Sequence, residues 1–216
     1  MLNLSLPQLL TTIVIVVVSL TIHEFAHSLV AISLGDPTPR QDGRLSLNPL
    51  RHIDLVGFIL LIVAGFGWAK PVRIDMQKLK KPRRDAILIA LAGPVSNVLF
   101  AFLVAVLLKL ALLSNVFRGQ ATMEAVFRLA TQTAMLNIGL AVFNILPIPP
   151  LDGSHLVTPF LARFNQAVAA TYFRYGSFAL LAVIIIERVM NIDILPIGRV
   201  TRAVVIGIYR LLGMFG

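Results

Sequence analysis

The chain has 216 residues, of which 57% are hydrophobic and only 13% charged, with a formal net charge of +9 and no cysteine. Its mean hydropathy of +0.87 excludes an ordinary soluble domain and is typical of a polytopic membrane protein. Without cysteine, a metal site must use nitrogen and oxygen ligands. The basic residues cluster between apolar runs, which predicts membrane-topology signals and no binding of nucleic acid.

The first apolar run extends from about Leu6 to Leu34, long enough for a helix that spans a membrane. Its second half contains the pentapeptide His23-Glu24-Phe25-Ala26-His27. Histidines four positions apart lie on the same helix face, so both imidazoles can bind one cation. This pattern, with Glu24 as the general base that activates a zinc-bound water, is typical of zinc metalloproteases. The alternative, two packing histidines hydrogen-bonded to Glu24, is disfavoured because ionisable groups are costly at bilayer depth.

A polar segment, residues 35–52, follows the first helix and is rich in glycine and proline, which end helices. The next apolar run, Ile53 to Trp68, is short for a span and contains three glycines, so we expect it to re-enter on one face. The most basic stretch comes next, and the positive-inside rule predicts that it faces the cytoplasm. Its cations are Lys70, Arg73, Lys78, Lys80, Lys81, Arg83 and Arg84.

The remaining apolar runs predict four more helices. A second long span is expected from Asp85 to about Leu113 and a third from about Val126 to Leu146. Two further runs cover roughly Gly176–Met190 and Ile194–Met214. The chain is therefore predicted to be an all-α integral membrane protein of five to six apolar segments, in which a three-helix catalytic core precedes two C-terminal helices.

A catalytic zinc usually has three protein ligands, so the two histidines require a third group. Asp152 is the best candidate because it follows a segment in which three prolines break the end of an apolar span. Such a break is tolerated in a membrane only where the backbone is buried in protein or faces water. Asn144, just before the prolines, could hydrogen-bond a developing oxyanion or hold the substrate backbone. The alternative for Asp152 is a turn or helix-cap residue at the membrane surface.

Several motifs of the chain resemble those of the site-2 proteases, intramembrane zinc metalloproteases that cut transmembrane or membrane-proximal segments. They are His23 to His27, the segment Ala92-Gly93-Pro94-Val95-Ser96-Asn97, and Asn144 with Leu151-Asp152-Gly153. The resemblance implies that His23, His27 and Asp152 bind one zinc ion. It also implies that Glu24 is the catalytic base and that Asn144 assists substrate or oxyanion binding.

The resemblance further implies that the substrates are transmembrane proteins. The chain resembles a minimal form of the family, because it contains no PDZ or CBS segment. Partly on this resemblance, the polar stretch before Ile53 is expected to form a small membrane-associated β-hairpin. The edge of this hairpin could hold an unwound substrate as an added strand. Independently, Gly93, Ser96 and Asn97 predict close packing of the second span, with a polar contact between helices.

The predicted ligands also constrain the topology. Zinc ligands on the first and third spans must lie at similar depth, so these two helices are expected to run in the same direction. With the basic stretch in the cytoplasm, the N-terminus lies outside and the active site lies towards the cytoplasmic side of the cell membrane. We expect one membrane-embedded domain over residues 1–216, with the catalytic core at 1–160 and the C-terminal helices at 161–216.

The predicted function is an intramembrane zinc metalloendopeptidase. Two other classes share its features: a zinc-binding membrane transporter and a non-catalytic scaffold that binds membrane helices. A transporter would be expected to offer several ligand clusters along a pathway, and the sequence offers one. A scaffold would need zinc ligands at most, and no general base such as Glu24.

Overall fold

The computed structural model describes residues 5–64, 67–114, 116 and 119–214, and this part of the chain is helical. The predicted all-α class is therefore confirmed for the described residues. They form eight α-helices: α1 (Leu6–Ser33), α2 (Thr38–Gln41), α3 (Leu55–Ala64), α4 (Pro82–Ser114), α5 (Gln120–Asn144), α6 (Ser154–Phe164), α7 (Gln166–Met190) and α8 (Ile197–Leu211).

The chain divides into two compact units, residues 1–96 and 97–216, with the boundary inside α4. The first unit contains α1, α2, α3 and the first part of α4. The second contains the rest of α4 and helices α5 to α8. The division of one domain into a core at 1–160 and C-terminal helices at 161–216 stays a prediction.

Four helices of the described chain, α1, α4, α5 and α7, are long and apolar enough to cross a membrane. The first three lie where the sequence predicts the three long spans. The predicted run Ile194–Met214 instead forms α8, which has 15 residues and is about 22 Å long. It is not among the candidate spans. The count of five to six apolar segments is thus only roughly matched, because α3 is apolar but short and α8 contains Arg199, Arg202 and Arg210.

Residues 35–52, all of them described, contain no strand, so the predicted β-hairpin is wrong. They form α2, turns and a 3-10 turn. In this segment, buried side chains donate hydrogen bonds to backbone carbonyl groups. The Arg44 guanidinium donates to backbone carbonyls, one of them on Lys70 at 3.3 Å, and His52 Nε2 donates to the Ser46 carbonyl at 2.7 Å. Sequence pattern alone carries no information on these contacts.

The apolar run from Ile53 to Trp68 folds back on itself. Its helix α3 has 10 residues and is about 15 Å long, half the thickness of a bilayer core. Ile53 forms an isolated antiparallel bridge with Ala69, and a Cβ on Gly57 would lie 2.2 Å from the Trp68 carbonyl oxygen. The two ends of the run therefore lie side by side, and the re-entry of this run into the membrane stays a prediction. Residues 65 and 66 lie outside the described residues.

Asp36 joins the end of α1 to the segment before α4. Its side chain is fully buried and accepts the N–H of Thr38 at 2.9 Å and the N–H of Asp75 at 2.7 Å. Burial alone would raise the pKa of Asp36. The hydrogen bonds from Thr38 and Asp75 and the charge of Lys78 outweigh burial, and they lower this pKa below its usual value.

We expect Asp36→Asn to lower the free energy of unfolding by about 1–3 kcal/mol at neutral pH, because an amide nitrogen would face a backbone N–H. Since folding lowers the pKa of Asp36, its ionised form stabilises the protein above the unfolded value of about 3.9. That stabilisation is lost as the pH falls through the lower folded value, so wild type and variant should converge in acid. Thermal unfolding of the detergent-solubilised chain as a function of pH measures this.

The control for Asp36 is Asp42→Asn, which breaks an ion pair with the exposed Arg73. Exposed pairs contribute little, so we expect this variant to change the unfolding free energy by less than about 1 kcal/mol. An equal loss in the two variants, or a difference that persists in acid, would contradict the role assigned to Asp36.

Small side chains form much of the core of the second unit. They allow the second part of α4, α5 and α8 to approach closely, as is common for helices in membranes. The hydroxyl groups of Thr131 on α5 and Tyr209 on α8 lie 3.0 Å apart and add a polar contact. The buried residues of this core are Ala101, Ala105, Leu108, Ala130, Ala134, Ile138, Val205 and Tyr209.

A fully buried pair of asparagines joins α4 to α5 within the second unit. Asn97 Nδ2 donates to Asn137 Oδ1 at 2.9 Å, and Asn137 Nδ2 donates to the Thr133 carbonyl at 2.9 Å. The polar helix contact predicted at Asn97 is therefore confirmed. It fixes α5, whose last residue is Asn144, against α4.

Candidate metal centre

Helix α1 brings the two predicted histidine ligands together. His23 and His27 lie one turn apart on its buried face, with exposed fractions of 4% and 7%. Their Nε2 atoms are 3.0 Å apart, and the rings meet edge to face with centroids separated by 4.6 Å. The two nitrogens thus point to one place inside the first unit.

A backbone carbonyl of α4 orients the second of these imidazoles. His27 Nδ1 lies 2.7 Å from the carbonyl oxygen of Ile89. A carbonyl oxygen can only accept, so Nδ1 carries the proton and Nε2 presents its lone pair. Metal-binding histidines typically donate their other ring N–H in this way, which fixes both the tautomer and the ring orientation.

Gly93 on α4 provides the space in front of the two imidazoles. A Cβ at this position would lie 2.4 Å from His27 Nε2 and 2.5 Å from His23 Nε2. Any side chain would therefore occupy the place where the two nitrogens converge. The sequence pattern predicts Gly93 only as a helix-packing glycine and does not predict this contact.

The histidine pair has the chemistry and spacing of a zinc half-site. With Zn–N bonds of about 2.0–2.1 Å and tetrahedral angles, two ligand nitrogens lie about 3.3 Å apart. The 3.0 Å between the Nε2 atoms is close to this value. A bound cation fits this place for two further reasons. The Ile89 carbonyl keeps the lone pair of His27 on Nε2, and Gly93 leaves space in front of it.

Glu24 lies beside this pair in the sequence, in the same turn of α1, and is 8% exposed. Its backbone carbonyl accepts the hydroxyl of Ser28 at 3.0 Å. The H-E-x-x-H pattern predicts a general base at this position.

Asn144 and Asp152 lie in the second unit, at the two ends of a tight turn that follows α5. The Gly153 N–H donates to the Asn144 carbonyl at 2.7 Å, which closes the turn. A Cβ on Gly153 would lie 2.2 Å from the Ile145 carbonyl oxygen, so the turn requires glycine there. The Tyr172 hydroxyl donates to the Pro147 carbonyl at 2.7 Å and holds the proline segment against α7.

The side chains of this turn are partly enclosed. Asp152 is half-buried and lies just before α6, which begins at Ser154. The Asn144 side chain donates one of its two N–H groups to the Leu140 carbonyl of its own helix at 3.0 Å. The turn is therefore a rigid, hydrogen-bonded support for one carboxylate and one amide.

A protein-family model matches most of the chain. The model of Peptidase family M50 matches residues 11–186. The chain is 41% identical over 152 residues to "Putative zinc metalloprotease YwhC" of Bacillus subtilis, a match that covers 70% of the chain and 68% of that protein. It is 32% identical over 178 residues to "Putative zinc metalloprotease Rip2" of Mycolicibacterium smegmatis, covering 80% of the chain and 65% of that protein.

A third relative is archaeal. The chain is 28% identical over 161 residues to "Putative zinc metalloprotease MJ0611" of Methanocaldococcus jannaschii, covering 74% of the chain and 76% of that protein. No solved structure matches the chain.

The family match extends over more than half of the sequence and includes the histidine pair, Gly93, Asn144 and Asp152. The chain therefore belongs to peptidase family M50, the family of the site-2 proteases.

Proposed function

We propose that this protein is an intramembrane zinc metalloendopeptidase that hydrolyses peptide bonds in or near transmembrane segments of membrane proteins. The observation that carries the proposal is the convergence of His23 Nε2 and His27 Nε2 in front of Gly93, on a helix long and apolar enough to span a bilayer. Membership of a peptidase family supports the same reaction class.

We propose that His23 and His27 hold one zinc ion together with Asp152. Two imidazole nitrogens and one carboxylate oxygen form a common ligand set for catalytic zinc, which keeps a position open for water. When bound, zinc makes water a stronger nucleophile at neutral pH and polarises a carbonyl group. The names of the three relatives, which all contain zinc metalloprotease, support this choice of metal.

Glu24 is the proposed general base. Its carboxylate accepts a proton from the water that attacks the scissile carbonyl and then delivers this proton to the leaving amine. Burial in α1 keeps bulk water away from the carboxylate and strengthens its interactions. Asn144 is proposed to donate its remaining N–H to the substrate carbonyl or to the oxyanion that develops there.

The substrate must present an accessible peptide bond. A transmembrane helix hides its amides in its own hydrogen bonds, so a local unwinding has to precede cleavage. Glycine and proline lower the cost of unwinding, and we expect them near the cut site.

We propose a multi-pass protein of the cell membrane with its active site towards the cytoplasmic side. The cations that follow α3 support this orientation through the positive-inside rule. The end of α1 and the start of α4 then lie at the cytoplasmic face, and α3 enters and leaves the bilayer from that face.

Zinc removal tests the proposal. We expect the wild-type chain, reconstituted in vesicles with a single-span substrate, to lose cleavage when its zinc is extracted with 1,10-phenanthroline. Cleavage should return on addition of about one equivalent of zinc, since the proposed site has one ligand set. Zinc content measured by mass spectrometry is compared with the cleavage rate at each step. Cleavage that persists in the zinc-free protein would contradict the proposal.

A further inference from the structure

A cationic cleft lies in the first unit, in the connection between α1 and α4. Its volume is about 640 Å³, within the range of about 300–1,000 Å³ typical of small-ligand sites. Four cations, Arg44, Arg51, Lys70 and Arg73, line it together with one acid, Asp42. This composition indicates an anionic ligand.

The acid of the cleft is already neutralised. Asp42 accepts two hydrogen bonds from Arg73, at 2.9 Å from Nε and 2.7 Å from Nη2. Arg44 is buried, and its guanidinium donates to the Lys70 carbonyl at 3.3 Å. Asp42 therefore does not neutralise the positive charges of Arg44, Arg51 and Lys70. Guanidinium groups match the oxygens of a phosphate especially well.

Apolar residues, Leu50, Ile53 and Pro71, form part of the lining of the cleft. Leu50 lines it and is 79% exposed, while Leu47, Leu55 and Trp68 nearby in the chain are 50% exposed or more. Helices α1 and α4 are candidate spans, and α3 is too short to cross. The connection that contains the cleft therefore lies at one face of the bilayer, where phospholipid head groups meet acyl chains.

We propose that this cleft binds the phosphate group of an anionic phospholipid. Arg51 and Lys70, both exposed, contact the phosphate, and Leu50 lies against the apolar part of the lipid. The apolar part of the lining favours a lipid over an acidic peptide, whose flanking groups would be polar. The inference rests on the place of the cleft at the membrane face and does not require protease activity.

The test is lipid binding by the full-length chain in detergent, measured by native mass spectrometry. Dioleoylphosphatidylglycerol is titrated against dioleoylphosphatidylcholine. We expect wild type to bind phosphatidylglycerol preferentially and R51Q/K70Q to bind it about 30-fold more weakly, since each cation near an anionic lipid contributes about a fivefold factor. The single variant Lys70→Gln should show about a fivefold loss, and it keeps the test valid if the double variant fails to fold.

Two controls separate the cleft from general surface charge. The variant K80Q/R83Q removes the same charge from exposed positions outside the cleft, and R51K/K70R keeps the charge inside it. We expect both to bind phosphatidylglycerol within about threefold of wild type.

Three results would overturn the proposal. Equal weakening in the cleft variant and in K80Q/R83Q would indicate diffuse attraction to the basic surface. Binding of inorganic phosphate as tightly as phosphatidylglycerol would indicate a site for free phosphate. Binding of an acidic peptide in preference to phosphatidylglycerol, lost in R51Q/K70Q, would assign the cleft to a protein segment.

Discussion

Glu24→Gln is expected to retain zinc and to cleave a single-span substrate about 100- to 10,000-fold more slowly than wild type, the usual range for loss of a general base. Glutamine has nearly the same size as glutamate, so α1 and the histidine pair should keep their geometry. Its amide cannot accept a proton from the attacking water. Cleavage rates in reconstituted vesicles and zinc content by mass spectrometry measure the two effects separately.

The matched control is Glu124→Gln, at the exposed start of α5, where the carboxylate accepts the side chain of Gln120 at 3.2 Å. This variant should cleave at the wild-type rate. Wild-type cleavage by Glu24→Gln would show that another group moves the proton. Loss of zinc in Glu24→Gln would show that Glu24 holds the metal site together and leave its role as a base without support.

Gly93→Ala is expected to weaken zinc binding strongly while the fold persists. The new methyl group would lie 2.4–2.5 Å from the Nε2 atoms of His27 and His23, well inside van der Waals contact. These atoms are at the ends of side chains, so the imidazoles can rotate away and relieve the clash. That rotation separates the two ligand nitrogens, and we expect zinc affinity to fall about 100-fold or more.

Gly139→Ala is the control for Gly93→Ala. It places the same methyl group inside the apolar helix α5, with its nearest neighbour on Thr201 at 3.8 Å, an ordinary contact. We expect wild-type zinc content in this variant. Thermal unfolding of the zinc-free proteins should show Gly139→Ala within about 1 kcal/mol of wild type. Gly93→Ala should unfold cooperatively with a loss of about 1–3 kcal/mol, because rotation of His27 leaves the buried Ile89 carbonyl without its donor. Full zinc content in Gly93→Ala would contradict the convergence of the two histidines at Gly93.

Much of the helical architecture is predictable from the sequence because the membrane imposes one rule on the backbone. Long apolar segments must satisfy their hydrogen bonds internally, so α1, α4 and α5 follow from apolar length alone. Helix α6 was missed because Ser154–Phe164 mixes polar and apolar residues over a short length. It has 11 residues and contains Pro159, and both features argue against a helix in a sequence.

The errors fall where side-chain contacts, and not the periodicity of the sequence, decide the structure. The β-hairpin was expected partly from the family resemblance, yet the segment forms α2 and turns, in which Arg44 donates to the Lys70 carbonyl and His52 donates to the Ser46 carbonyl. The run that forms α8 was expected to continue to Met214. The helix ends at Leu211, and Tyr209 near its end packs into the α5 interface.

At the candidate centre, the histidine pair was predictable because both ligands lie on one helix with fixed spacing. The roles of Gly93 and of the Ile89 carbonyl were not, because both belong to α4 and meet α1 only in the folded chain. A glycine followed by proline inside a long apolar helix is a signal that could have pointed to a close approach. The pairing of the histidines with Asp152 remains a proposal.

The measurement that most directly tests the account is cleavage of a panel of single-span substrates by the wild-type protein in vesicles, with the cut sites mapped by mass spectrometry. We expect zinc-dependent cleavage of at least one substrate, at a peptide bond inside or beside its membrane span and close to glycine or proline. A protein that binds zinc, cleaves no member of the panel and carries zinc across the vesicle membrane would contradict the account and indicate a transporter.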